Sequence, residues 1–295
     1  MKPLVFSGSA VAIVTPFRGG KVDFPAFDRL VAWQLQQGTD AIVVCGTTGE
    51  AATLNSEERS ALIEHCVRIV DHRVPVIAGS GTNNTSSAVA LSRDAQQSGA
   101  DALLVVTPYY NKASQNGLVR HFSTIADAVD IPLILYNVPS RTGVCCTAQT
   151  YQKLAAHPNI AGVKEASDDF DLIQETLRLC PPDFTLWSGN DSSTTAIMAL
   201  GGKGVISVAA NIVPREMHAL TQLCLAGRFQ EAAALQLRLY ELIGALFCEV
   251  NPIPVKAAME KLGLCGGELR LPLCTISERN LPRLSRAMQD FGVAI

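Results

Sequence analysis

The residue best placed for covalent chemistry in this chain is a lysine that closes the apolar run Ile160-Ala161-Gly162-Val163. Lys164 is expected to project from a strand end into a largely apolar mouth. There, burial disfavours the ammonium form and leaves an amine nucleophilic toward ketones, the basis of Schiff-base catalysis. Position alone also admits a rim lysine paired with Glu165. Imine chemistry needs proton transfers, and Tyr136, at the end of the preceding apolar run, can supply them. Thr47 and Thr48, and Tyr109 and Tyr110, follow two further runs of the same kind. Tyr and Thr are also common strand formers, so the constellation carries more weight than any member. Arg141, within Pro139-Ser140-Arg141-Thr142-Gly143, offers a fork suited to a carboxylate; its other reading is an exposed loop charge. Arg141 together with Lys164 points to an anionic substrate.

These residues need a frame that gathers strand ends. Short β-branched runs at 9–15, 41–45, 75–79, 102–107, 132–137, 160–164, 184–188 and 204–208 alternate with helical patterns. One helix is expected over 56–70, with Asn55 and Glu58 as its N-terminal signal. The junctions Gly38-Thr39-Asp40-Ala41 and Gly99-Ala100-Asp101-Ala102 repeat one βα unit. Strands apolar throughout belong to a parallel sheet covered on both faces, and eight such units close into an α/β (β/α)8 TIM barrel, with its site at the carboxyl ends of the strands. An open doubly wound sheet is the runner-up, weakened because no GxGxxG or Walker sequence occurs. The expected division is a barrel over 1–226 and a C-terminal helical extension over 227–295, with helices near 228–247, 253–262 and 277–290.

Composition narrows the function. The chain has 295 residues, 48% hydrophobic and 17% charged, with a net charge of −3 and no basic block, which argues against nucleic acid or an anionic membrane as partner. No apolar run reaches the ~18 residues of a membrane span. Within the first 17 residues, Ser9–Thr15 before Pro16 reads as a first strand rather than as part of a signal peptide. The 9 Cys are odd in number and lack metal-ligand spacing, which suits reduced thiols and a cytoplasmic location. His65, His72, His121, His157 and His218 fall in helical stretches or connections, so no metal is expected. A phosphate site at the turn 189–193 is a minor alternative.

Across essentially its whole length the chain closely resembles the dihydrodipicolinate synthase family of the N-acetylneuraminate lyase superfamily. These are pyruvate-dependent class I aldolase-like enzymes of bacterial lysine (diaminopimelate) biosynthesis. The resemblance is carried by Gly46-Thr47-Thr48-Gly49-Glu50, Thr107-Pro108-Tyr109-Tyr110-Asn111, Asn137-Val138-Pro139-Ser140-Arg141-Thr142-Gly143 and Gly162-Val163-Lys164-Glu165-Ala166. It implies that Lys164 forms an imine with pyruvate, and that Thr47, Tyr136 and Tyr110 relay protons, Tyr110 reaching in from a neighbouring subunit. It also implies that Thr48 holds the pyruvate carboxylate, Arg141 that of aspartate semialdehyde, and that Ile206 (by its backbone) and Gly189 belong to the substrate pocket. No cofactor is implied; a homotetramer, a dimer of dimers, is.

Many family members are inhibited by lysine at a site marked by a serine, two histidines and a glutamate. Here those positions hold Ala51, Ser56, Arg59 and Ser87, while Asn83 and Tyr109 match the inhibited pattern. Arg59 would repel an effector ammonium by up to about 4 kcal/mol at ~4 Å in an effective dielectric of ~20, so insensitivity to lysine is expected. The alternative is that Glu57 or Glu58 supplies a substitute carboxylate. Two further readings stand beside the synthase: an N-acetylneuraminate or keto-sugar-acid lyase, which would need polyol-binding groups where Arg141 stands, and a catalytically silent keto-acid-binding barrel.

Overall fold

The computed structural model describes residues 2–293. Eight parallel strands close a barrel: β1 Gly8–Ala12, β4 Ala41–Val44, β5 Val76–Gly79, β6 Ala102–Val106, β7 Leu133–Asn137, β8 Ile160–Glu165, β9 Thr185–Ser188 and β10 Gly204–Ser207. Around it run α1 Phe24–Gln36, α2 Ser56–Val70, α3 Thr85–Gln97, α4 Gln115–Ala126, α6 Ala148–Ala155, α7 Phe170–Leu179, α8 Thr194–Ala199 and α9 Pro214–Leu225. A one-turn helix, α5 Pro139–Thr142, follows β7. Beyond the barrel come α10 Phe229–Leu246, α11 Ile253–Lys261 and α12 Leu281–Phe291.

The barrel accounts for the apolar strands, because both faces are covered. Alternate side chains point inward, and the inner cluster is built from Ala10, Ala12, Ala41, Val43, Ile77, Ala102, Leu104, Ile134, Tyr136 and Trp187. A second, larger cluster fills the layer between strands and helices. Phe6 closes the floor, stacked on Trp187 at 5.1 Å between ring centroids and accepting the indole N–H at 3.1 Å.

Three details differ from the sequence reading. The first strand stops at Ala12 instead of residue 15: the Ile13 N–H still reaches the Val43 carbonyl of β4, but the Val14 N–H turns to the Asn211 side chain. An unexpected hairpin, β2 Phe17–Arg18 with β3 Lys21–Val22, follows at once. The last helix starts at Leu281 and not at 277, because the Glu249 carboxylate binds the Ser277 N–H and hydroxyl and the Asn280 amide in a turn of their own. Helix α2 begins as expected, with Asn55 and Glu58 forming a reciprocal capping box. The segment between α11 and α12 turns back over the barrel mouth, where the Glu268 carboxylate accepts the N–H groups of Gly19 and Gly20.

Candidate active site

Strand register assembles the centre of the site. Tyr136 of β7 is paired with Lys164 of β8, and Lys164 with Trp187 of β9. All three point into the barrel. The Lys164 side chain is buried at 6% exposure, with its Nζ 4.3 Å from the centroid of the Tyr136 ring. No carboxylate lies within ion-pair distance of it among the described residues. The alternative pairing with Glu165 therefore fails. Glu165 is one residue further along the strand and points the other way, out of the barrel.

Lys164 opens on a cavity of about 140 Å³ whose lining includes Thr47, Thr48, Tyr136, Arg141 and Gly189. Val138, Asn190, Val208, Phe247 and Asn251 also line it. Arg141 is carried by α5, which is built locally: Pro139 occupies the first turn, Gly143 closes it in the left-handed region at φ 71°, and the Thr142 hydroxyl bonds to Thr107 and to the Val144 carbonyl. The guanidinium is exposed and has no carboxylate partner among the described residues. Gly189 is required by close approach, since a Cβ there would sit 2.6 Å from Ala166 Cβ and 2.9 Å from the Glu165 carbonyl. The Thr48 hydroxyl is buried and accepts a hydrogen bond from the Asn251 amide at 3.0 Å. Its own proton is thereby free to point at a ligand.

Two expected members stand outside this cavity. The Ile206 side chain is buried in the inner cluster, and Val208, two residues on, lines the cavity. Tyr110 sits at φ 76° with 85% of its surface exposed, away from Lys164 within this chain. The turn considered for a phosphate is occupied by the buried Asp191, whose carboxylate accepts the N–H groups of Val208 and Ala209, both at 3.0 Å.

A larger cavity of about 470 Å³ adjoins the first and shares Thr47, Tyr136, Arg141 and Asn251. Of the expected effector positions it is lined by Ala51, Arg59 and Tyr109, whereas Ser56, Asn83 and Ser87 are exposed and do not line it. Arg59 donates to the carbonyls of Ala51 and Gly79. Cys45 lines the same space, but burial pushes its thiol up to about 12, which leaves it no thiolate at neutral pH. Asn251 and Lys256 escaped the sequence reading, and Glu50 was read only as part of the Gly46–Glu50 segment, without a role. A lysine inside Ile253-Pro254-Val255-Lys256-Ala257-Ala258-Met259 is the signal that was there to be used, since an ammonium on so apolar a helix needs a buried partner.

A family model described as the dihydrodipicolinate synthetase family matches residues 5–291. The chain belongs to that family. Among relatives of this synthetase family, the 4-hydroxy-tetrahydrodipicolinate synthase of Thermoanaerobacter sp. (strain X514) is 51% identical over 290 residues, 98% of each chain. The dihydrodipicolinate synthase structure from Thermotoga maritima superposes with a TM-score of 0.97 at 42% identity, covering 99% of this chain and 100% of that one. A synthase structure from Cyanidioschyzon merolae, solved with lysine bound, gives a TM-score of 0.96 at 40% identity over 98% and 99% of the two chains.

Behind the reactive strands, the Glu165 carboxylate accepts the Asn137 amide at 2.9 Å, the Tyr151 hydroxyl at 2.8 Å and the Ser167 N–H at 2.9 Å. Burial raises this carboxyl above the usual range, opposed by hydrogen bonds from Ser167, Asn137 and Tyr151. A carboxyl raised by folding contributes its stability below the unfolded pKa and loses it as pH climbs through the folded one. The Tyr151 hydroxyl favours the ionised form. Tyr151→Phe should therefore lower stability by ~1.5–3 kcal/mol where Glu165 is ionised, and by less in acid. Urea midpoints of both proteins on either side of the Glu165 titration test this; an equal loss at both pH values would remove Glu165 from the explanation.

Proposed function

We propose that this protein is a lyase that condenses pyruvate with L-aspartate 4-semialdehyde to give 4-hydroxy-tetrahydrodipicolinate, through a Schiff base on Lys164, without a metal or organic cofactor and in the cytoplasm. The observation that carries this reading is a buried lysine amine without a carboxylate partner among the described residues, opening on a cavity it shares with a tyrosine, a threonine hydroxyl and a free guanidinium. The Lys164 amine attacks the pyruvate keto carbon, water leaves, and loss of a methyl proton gives the enamine. The enamine carbon attacks the aldehyde; cyclisation of the substrate amine onto the imine carbon then expels the free lysine. Tyr136, Thr47 and Tyr110 carry the protons. Thr48 donates to the pyruvate carboxylate, and the pocket around it includes Gly189 and the backbone near Ile206. Arg141 holds the carboxylate of the semialdehyde, which also favours the synthase over a sugar-acid lyase.

Trapping tests both halves together. Borohydride with pyruvate should add one label per chain, on the peptide bearing Lys164. Arg141→Ala should keep that label and lose roughly ten- to a hundredfold in use of the semialdehyde, as expected for a charge-assisted contact worth ~1.5–3 kcal/mol. An unlabelled Lys164 in active enzyme would sink the mechanism, and weakened trapping with unchanged use of the aldehyde would assign Arg141 to the wrong substrate.

The exposure of Tyr110 supports a homo-oligomer, a tetramer of paired dimers, in which Tyr110 of one copy completes the site of another. Mixing Tyr110→Phe with Lys164→Ala protein should then restore activity that neither has alone. A fully active monomer in sedimentation would refute it.

Lysine regulation is expected to be lost. The positions Ala51, Ser56, Arg59 and Ser87 supply no carboxylate for an effector ammonium, and Glu58 is engaged by Arg270 and so is not a free substitute. Lysine titrated into the assay, with binding followed by calorimetry, should give no saturable inhibition; inhibition at sub-millimolar lysine would contradict this reading of Arg59.

A further inference from the structure

Lys256 of α11 has no exposed surface, and neither does the side chain of its partner Glu50. The ammonium donates to the Glu50 carboxylate at 2.7 Å, to the Thr15 carbonyl at 2.9 Å and to the Glu268 carbonyl, and lies 4.4 Å from the centroid of the Phe17 ring. The other Glu50 oxygen accepts the Arg270 N–H at 3.0 Å. Every strong group in the pair is thus satisfied. Buried ion pairs of this kind are often replaceable by apolar residues without loss of stability, so stability alone does not explain the arrangement.

What the pair grips is the turn after β4. Glu50 stands in the left-handed region at φ 54° and ψ 37°, and its N–H donates to the Thr47 carbonyl at 3.1 Å. Thr15, whose carbonyl the ammonium holds, sends its hydroxyl to the Gly49 carbonyl at 2.7 Å. The ammonium therefore fixes the turn through two separate routes, at Glu50 and at Gly49, and these points directly follow Thr47 and Thr48. We propose that Lys256, acting through Glu50, is a positioning residue that holds the turn carrying Thr47 and so sets the Thr48 hydroxyl for the carboxylate of the keto acid. The C-terminal extension thereby becomes part of pyruvate recognition although Lys256 touches no substrate. This rests on the Schiff-base reading above.

Displacing a binding group by a fraction of an ångström weakens the step it serves and leaves others alone. In full-length Lys256→Met, the pyruvate concentration giving half-maximal borohydride trapping should rise roughly tenfold or more, and KM for the semialdehyde should change by less than about twofold. The neutral double variant Lys256→Met with Glu50→Gln removes the unpaired buried charge. It should recover the melting temperature while keeping the raised pyruvate requirement, a separation that a purely structural role would not produce. Should Lys256→Met fail to fold, Glu50→Gln alone, which keeps the shape and loses the charge, should move the pyruvate requirement in the same direction. Wild-type protein that is not trapped by pyruvate at all would overturn the Schiff-base reading. Trapped wild-type protein with folded variants of unchanged pyruvate requirement, or with both substrate constants rising together, would overturn the positioning role alone.

Discussion

Closing eight parallel strands into a barrel forces every second side chain inward, and that parity decides which groups meet. On β8 it sends Lys164 inside and Glu165 outside; on β7 it sends Tyr136 inside and Asn137 outside. A slip of one residue would exchange the amine for a carboxylate at the centre of the site. The register is held from both sides. Inside, Ala10, Ala12 and Ala102 belong to the buried inner cluster with Tyr136 and Trp187. Outside, the Glu165 carboxylate joins Asn137, Tyr151 and Ser167 across β7, β8 and α6.

Two lysines are buried by this fold, to opposite ends. Lys256 loses its water and gains a carboxylate, two carbonyls and an aromatic face, so its charge is fully met. Burial lowers its pKa, while the Glu50 charge and hydrogen bond oppose that shift. Lys164 is nearly as buried, but among the described residues it makes no ion pair within 4 Å, faces the Tyr136 ring and opens on a cavity. The same side chain thus serves as a strut where partners surround it and as a candidate nucleophile where they do not. Neighbours, rather than depth, separate the two roles.

The parts of this molecule that follow from local pattern were legible in the sequence. The apolar strands, the capping box at Asn55 and Glu58 and the turn at 139–143, which the structure tightens into one helical turn, each depend on residues within a few positions of one another. The strand-end rule of a closed barrel then placed Thr47, Thr48, Tyr136, Arg141 and Lys164 on one rim. Contacts made by returning chain were not legible. Asn251 meets Thr48 across 203 positions and Lys256 meets Glu50 across 206, and no periodicity reports a partner so distant. The Ile206 side chain lies in the inner cluster while Val208 lines the cavity, because chain spacing does not show where a strand ends and its turn begins. Tyr110 falls outside the cavity for a different reason, since its place depends on whatever covers an exposed side chain.

The charge of the mouth is set by who is already paired. The chain carries a net charge of −3, which by itself would not favour an anionic substrate. Around the two cavities, however, cations bind the protein's own acceptors: Arg59 takes the Ala51 and Gly79 carbonyls, Arg270 takes Glu58 and the Thr53 carbonyl, and Lys256 takes Glu50. Among the described residues, Glu50 is the only acidic one lining either cavity, and Lys256 neutralises it. Arg141 and Lys164 are left facing the space without counter-ions among the described residues. In a recess walled by low-dielectric side chains, two such groups set the sign of the local field whatever the total charge of the surface. Selection for doubly anionic reactant pairs therefore arises from the pairing of the other cations, and a change that freed Glu50 from Lys256 would reverse part of it.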